Sequence, residues 1–381
     1  MWGENPRLYL WLFVKPKLKR HGMTTTNYSS KASLVNILKN LPRQLFMSEY
    51  FILFLCIFVF IALIPFIPVI VSPYNLSSLL SNIWPLYAVA IGQTLVLIIA
   101  GIDLSQGAII SLTSVIGASL IATAADPIVF SKSPIWGWLL FENGGILTNN
   151  GAGILIAVFA MLLMGLLIGF INGAVIAYAR IPAFMVTLVT QIFFAGFAIY
   201  YVKSENIINL PDGFTAIGED SGRVISYALI ITVILAISFQ FILSRTMFGR
   251  WLYATGTNMR ASIISGVPTK KVVILTYMFS GFCAAVASVL YSARMDMGRP
   301  TLGAPLLLDV IGGAVIGGSS LSGGKGKVLW TFFGVVFLVL LGNALLLLNV
   351  PFFWIEIAKG SVILLAALLD VVRTRLLQRS V

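Results

Sequence analysis

Histidine and cysteine are almost missing from this chain: His21 stands alone near the N-terminus, and Cys56 and Cys283 each sit inside an apolar run. That leaves no histidine-based metal chemistry within the apolar segments and implies neither a disulfide framework nor a cysteine cluster. Charge is scarce too. Asp, Glu, Lys and Arg make up only 10% of the residues and apolar types 59%, whereas an ordinary soluble domain carries about 25% charged residues. A soluble fold must dress its exterior in polar groups, and 381 residues of this composition cannot do so. Lipid removes the requirement. The formal net charge of +12 would suggest nucleic acid in a soluble protein. No basic stripe interleaved with exposed aromatics occurs, however, so nucleic-acid binding is not expected.

What is present is a series of long apolar runs. A helix needs roughly 20 apolar residues to cross a hydrocarbon core of about 30 Å. By that measure about ten spans are predicted, near 50–71, 83–100, 107–124, 152–178, 182–202, 224–243, 272–292, 307–320, 328–348 and 351–371. The second, third and eighth are short or interrupted by glycine. The expected fold is therefore an all-α polytopic membrane protein. Its basic residues fall in alternate loops. One set of loops and tails holds Arg7, Lys15, Lys17, Lys19, Arg20, Lys31, Lys39, Arg43, Arg180, Arg245, Arg250, Arg260, Lys270, Lys271, Lys325, Lys327, Arg373, Arg375 and Arg379. The other holds only Lys132, Lys203, Arg223, Arg294 and Arg299. Since basic loops stay cytoplasmic, both termini are expected inside.

Residues 1–48 read as a cytoplasmic leader, 49–372 as the membrane domain, 244–271 as a cytoplasmic loop within it, and 373–381 as a cytoplasmic tail. The run Leu8–Val14 is too short to cross, and Met23 opens a more ordinary leader, so residues 1–22 are either a start-site artefact or an interfacial anchor. A short internal repeat is visible. Asn172-Gly173-Ala174 leads to Ile181-Pro182-Ala183-Phe184, and Asn343-Ala344 leads to Val350-Pro351-Phe352-Phe353. The two junctions fall on opposite sides of the predicted membrane, which is the pattern of an inverted repeat with broken helices.

Acidic residues in apolar runs cost about 2.5–3.5 kcal/mol each on insertion scales, so they mark places of interest. Asp103 lies in Gly101-Ile102-Asp103-Leu104-Ser105, and Asp309 in Leu308-Asp309-Val310. Asp103 and Ser105 are candidates for a translocation path or hinge; capping of the third span by the Asp103 carboxylate is the compatible structural alternative. Gln93, Asn172, Thr187, Gln191, Asp309 and Asn343 complete the candidate path. For these polar residues, interhelical hydrogen bonding is the competing explanation. Gly165, Gly169 and Gly173, four apart, predict a smooth face for close helix packing.

The segment Gly317–Lys327 is glycine-rich but is no phosphate loop: Ser319 stands where a Walker loop needs glycine, and Gly326 where it needs Ser or Thr. In the inner loop, Asn258 is a good N-cap, Gly266 a good C′ residue and Pro268 a block. A short helix over Met259–Ser265 follows, lying on the cytoplasmic face as a connector or a docking element.

The run Gly249-Arg250-Trp251-Leu252-Tyr253-Ala254-Thr255-Gly256-Thr257-Asn258, with Ser265-Gly266 after it, resembles the cytoplasmic loop of permease subunits of bacterial ABC sugar importers, the ribose and related monosaccharide branch above all. Gly101–Ser105, the stretch from Leu308 through Gly326, and Lys359-Gly360-Ser361-Val362-Ile363 are similar to the same family, and the likeness covers about residues 75–372. The resemblance implies a path for a small sugar in the bacterial inner membrane and a second permease subunit, in a homo- or heterodimer. It further implies ABC ATPase subunits that bind ATP and Mg, and a periplasmic binding protein; no cofactor is expected in this chain. Arg250, Tyr253, Gly256, Asn258, Ser265 and Gly266 would form the coupling element. The chain departs from the family where Met259-Arg260 follow the loop asparagine in place of an acidic residue, and where Leu307 stands in place of Glu. Another small polar solute, or proton-coupled transport through Asp103 and Asp309, are the alternative readings.

Overall fold

The computed structural model describes residues 50–148, 150–218 and 226–378. The leader 1–48, Arg223 and the tail residues 379–381 lie outside these. Among the described residues ten apolar helices follow one another. α1 is Phe51–Leu63, α2 Pro73–Ile98, α3 Gln106–Ile121, α4 Gly153–Ala179, α5 Ala183–Val202 and α6 Tyr227–Arg245. Two short helices, α7 (Met247–Thr257) and α8 (Met259–Ile264), precede α9 (Thr269–Met295), α10 (Leu307–Ile316), α11 (Val328–Leu347) and α12 (Phe352–Gln378). Seven of them are long and apolar enough to cross a membrane; α1, α3 and α10 are shorter.

The helix boundaries have local causes. Pro65 and Pro68 end the expected first span early, leaving α1 at 13 residues. The second span begins ten residues before its expected start at 83. Ser72 caps it by accepting from the Asn75 N–H at 3.3 Å, with Pro73 at the first helical position. Its polar first turns hid it: Ser81 Oγ and Asn82 Nδ2 return their protons to the helix's own carbonyls at 2.9 and 2.8 Å. Pro182 and Pro351 immediately precede α5 and α12, as the repeat in the sequence requires.

Two four-helix units of opposite direction result. In the first, α3 runs antiparallel to α4, with Gly117 against Met161 and Ser105 bonded to Asn172. It runs parallel to α5, with Ala108 at Gln191 and Ser119 at Tyr201. In the second, α10 runs antiparallel to α11, with Gly313 against Val335 and Gly317 against Thr331. It runs parallel to α12, with Asp309 at Lys359 and Gly312 at Ile363. The long first helices, α2 and α9, lie antiparallel: Asn82 meets Arg294 and Gly92 meets Ser280. α2 is the buried axis, with 94% of its apolar window inside the protein, while α12 at 6% is peripheral.

The smooth glycine face is real and has a mate. Gly165, Gly169 and Gly173 of α4 approach Gly281, Tyr277 and Ile274 of α9, backbone to backbone. We predict that Gly281→Leu destabilises the protein by more than the about 1–3 kcal/mol typical of core overpacking, because the obstacle is the Gly165 backbone. Gly360→Leu, in open space on α12, should leave thermal stability in detergent unchanged. Equal melting temperatures for the two variants would refute the close packing.

Candidate functional site

Between α2 and α3 the helix is interrupted over residues 99–105, and this break carries the main polar cluster. Ala100 turns left-handed with φ 59°. The N–H groups of Ala100 and Gly101 return to Leu97 and Val96 carbonyls at 2.9 and 3.0 Å, closing α2. A side chain at Gly101 would strike the Tyr277 hydroxyl, so the turn fits only glycine there. Asp103 follows, fully buried. Its Oδ1 accepts from the Ser105 N–H at 2.9 Å and the Ser105 hydroxyl at 2.6 Å, and Oδ2 accepts from Ser280 at 2.6 Å.

All the donors converge on that carboxylate. Asn172 Nδ2 donates to Ser105 Oγ at 2.8 Å, and Thr190 bonds Asn172 Oδ1 at 2.6 Å. On the other arm, Gln106 Nε2 donates to Ser280 Oγ at 2.8 Å. Two relays from α4 and α3 thus end on Asp103 with hydrogen bonds in place of a counter-cation, the arrangement that makes a buried carboxylate tolerable. The expected capping is corrected in one respect. Asp103 turns back onto Ser105 and takes no N–H from the first turn of α3; Gln191 of α5 does that, accepting from Ala108 N at 2.7 Å. Thr187 donates to the Ile102 carbonyl at 3.1 Å and holds the other flank.

Of the expected path residues, Asp103, Ser105, Asn172, Thr187 and Gln191 come together here. Gln93 is fully buried in α2, and its side-chain amide has no hydrogen-bond partner among the described residues. Asp309 and Asn343 belong to the second unit. Lys359 of α12 binds Asp309 at 2.8 Å and Glu356 at 3.4 Å, and Asn343 exchanges two hydrogen bonds with Asn75 at 2.9 and 3.1 Å. The candidate path residues are thus divided among the Asp103 cluster, the Asp309–Lys359 pair, the Asn343–Asn75 pair and Gln93. Ser280 and Gln106 were missed. The signal for Ser280 was the small polar series Thr276, Ser280, Ser288 and Ser292 along one face of α9, all buried; no such series marks Gln106.

The basic loop 244–271 folds as the caps require. Thr246 accepts from Gly249 N at 3.3 Å to start α7, Asn258 accepts from Ala261 N at 3.0 Å to start α8, and Gly266 ends it at φ 79°. Arg250, Asn258, Ser265 and Gly266 are exposed. Gly256 and Tyr253 face inward instead. The Gly256 backbone lies on the Ile98 carbonyl at the end of α2, leaving no room for a Cβ. The glycine-rich bend joins the same junction: Gly324 N donates to Ile98 O at 2.8 Å, with Gly323 and Gly324 left-handed at φ 82° and 72°. Tyr253 donates to the Gly326 carbonyl at 2.6 Å, and burial pushes its phenol above the ordinary range, keeping the proton in that bond.

A bundle of membrane-length helices, built from two inverted units with interrupted segments beside a buried polar cluster, defines the class: an integral membrane permease. The chain belongs to the family described as branched-chain amino acid transport system / permease component, which it matches over residues 75–372. It is 32% identical over 325 residues to the ribose import permease protein RbsC of Haemophilus influenzae, covering 83% of this chain and 91% of that one. It is 28% identical over 304 residues to the L-arabinose ABC transporter permease protein AraH of Azospirillum brasilense, covering 80% and 82%. To the autoinducer 2 import system permease protein LsrC of Salmonella typhi it is 29% identical over 309 residues, covering 81% of each. No solved structure matches. The chain is a transport subunit, not an enzyme.

Asp103→Leu should leave the Ser105 and Ser280 hydroxyls and the Ser105 N–H without an acceptor, at about 1–3 kcal/mol for each buried group. Asp103→Asn keeps one acceptor oxygen and asks only Ser280 to turn its proton elsewhere. We expect Asn to fold with a modest loss of thermal stability and to retain much of its transport, and Leu to be far worse in both. Equal damage from the two would show that the negative charge, not the acceptor set, is what matters.

Proposed function

We propose that this chain is the membrane-spanning permease subunit of an ATP-driven importer for a monosaccharide, ribose or a related sugar. It works in the bacterial inner membrane with both termini cytoplasmic. The partners are ABC ATPase subunits, which bind ATP and Mg, a second permease subunit, and a periplasmic protein that delivers the sugar. The observation that carries this reading is α8: a capped helix on the basic face with Met259, Ile263 and Ile264 exposed, the last at 87%. Apolar side chains so exposed at the end of a bundle are suited to a protein partner. Similarity to sugar import permeases supports the cargo. The autoinducer 2 relative keeps a second cargo reading, another small polar solute, in view.

The junction at Ile98 gives that helix a mechanical route. A push on α8 moves α7, whose Gly256 bears on the last carbonyl of α2, five residues before Asp103. The Asp103 cluster would form the hinge of the path, with Asn172, Thr187 and Gln191 steadying it from α4 and α5.

Uptake of labelled ribose and arabinose into vesicles holding the assembled complex tests the energy source. Uptake should require ATP and persist with a protonophore. Uptake that collapses with the proton gradient at constant ATP would overturn the reading in favour of a secondary transporter working through Asp103 and Asp309. Gly256→Ala tests the route. Its methyl group meets the Ile98 carbonyl, so ATP hydrolysis should continue in an intact complex while sugar moved per ATP falls several-fold. An unchanged ratio would place the coupling elsewhere.

A further inference from the structure

The charge on the docking face can be carried one step further, and this step rests on the reading of α8 given above. Segment 244–271 contains Arg245, Arg250, Arg260, Lys270 and Lys271 and no acidic residue at all. Among the described residues none of these five forms an ion pair, although Lys270 lies over the Tyr178 ring at 4.9 Å. A basic inner face alone would follow from membrane topology. Arg260 is a different matter, because it sits on α8 itself. Residues 260, 263 and 264 are spaced i, i+3, i+4 along the helix, so the Arg260 guanidinium shares a face with the exposed Ile263 and Ile264.

Burying the two isoleucines against a partner brings the guanidinium into the same desolvated contact. An unpaired charge there would cost several kcal/mol, more than the apolar contact returns. The face is compatible with tight docking only if the partner offers a carboxylate beside its apolar floor. We infer that the ATPase groove receiving α8 is apolar at its base and carries a carboxylate opposite Arg260, with further negative charge towards Lys270 and Lys271. A groove that offers positive charge at this place would repel Arg260. Arg260 is therefore a residue of partner choice: it selects the cognate ATPase and rejects a groove built for an acidic coupling helix.

The test uses the full chain in lipid nanodiscs and the purified cognate ATPase subunit, with the affinity measured at low and high salt. Arg260→Glu should weaken binding at least about tenfold, and reversal of one groove carboxylate to Lys should restore it. Arg260→Gln should bind with less salt dependence than the unmodified chain. Ile264→Asp is the control for docking itself and should abolish binding. If Ile264→Asp fails to bind while Arg260→Glu binds normally, α8 docks but the acidic groove does not exist. If both bind normally, the docking face proposed above is wrong as well. Each variant alters an exposed side chain, and an unchanged melting temperature separates lost docking from lost folding.

Discussion

Everything in this protein turns on the need to satisfy backbone polar groups where a helix is interrupted inside an apolar body. Water cannot serve them there, and each unmet group costs about as much as one or two mutations can destroy. Over residues 99–105 every local device is used. The left-handed Ala100 closes α2 on itself, Asp103 takes the Ser105 N–H, Thr187 caps the Ile102 carbonyl, and Gln191 takes the Ala108 N–H in the first turn of α3. Because these partners come from α4, α5 and α9, the break also dictates how those helices pack. The glycine face between α4 and α9 is what lets Asn172 and Ser280 come close enough to serve it.

The second unit is pinned at the equivalent place by different chemistry, a pair of side chains. At the start of α10 the residue in the place of Ala108 is Asp309, and the residue of the last helix that reaches it is Lys359 where the first unit has Gln191. One clamp is neutral, with Gln191 half-buried; the other is an ion pair at about 15% exposure beside Glu356. The two short helices begin close together, with Gly303 against Gly107 and Gly303 N bonded to Ser111 Oγ at 3.0 Å. Inverted units thus put two helix starts side by side at the centre of the bundle, one held by hydrogen bonds and the other by charge.

Most of the architecture could be read from the chain because lipid imposes a long, simple rule: apolar runs of span length, with basic residues in alternate loops. The rule failed where another force acted. At α2 the polar residues Ser77, Ser81 and Asn82 masked ten helical residues, since a hydroxyl or amide that bonds back to its own helix looks like a loop residue in the sequence. The α8 boundaries were legible because Asn258, Gly266 and Pro268 each have a single good use. The site was half legible. Asp103 announces itself by cost, but Ser280 and Gln106 are ordinary helix residues whose importance comes from a partner 177 or 174 positions away, and no local pattern encodes that pairing. Gly256 was singled out by its loop motif, but its contact with the Ile98 carbonyl, 158 positions away, is again a pairing that the local pattern does not carry.

The two ends of the break are held by different bodies, and that is where the fold passes into mechanism. Ile98 is gripped from the basic face by Gly256 and Gly324, the second of which belongs to the bend after α10. Asp103 is gripped from inside by α9 and, through Ser105, by α4. Between them lie four residues, including a left-handed alanine that costs about 1 kcal/mol more than a glycine would. A rigid connection would carry motion of α7 straight into α3; a glycine at both positions would lose it as slack. Alanine at 100 and glycine at 101 give a joint with one preferred shape. A displacement at Ile98 must then either strain that joint or move the Asp103 cluster, and the cluster's relays are single hydrogen bonds while α2 is packed along its length. The relays are the weaker side, which is the basis for proposing the Asp103 cluster as the hinge.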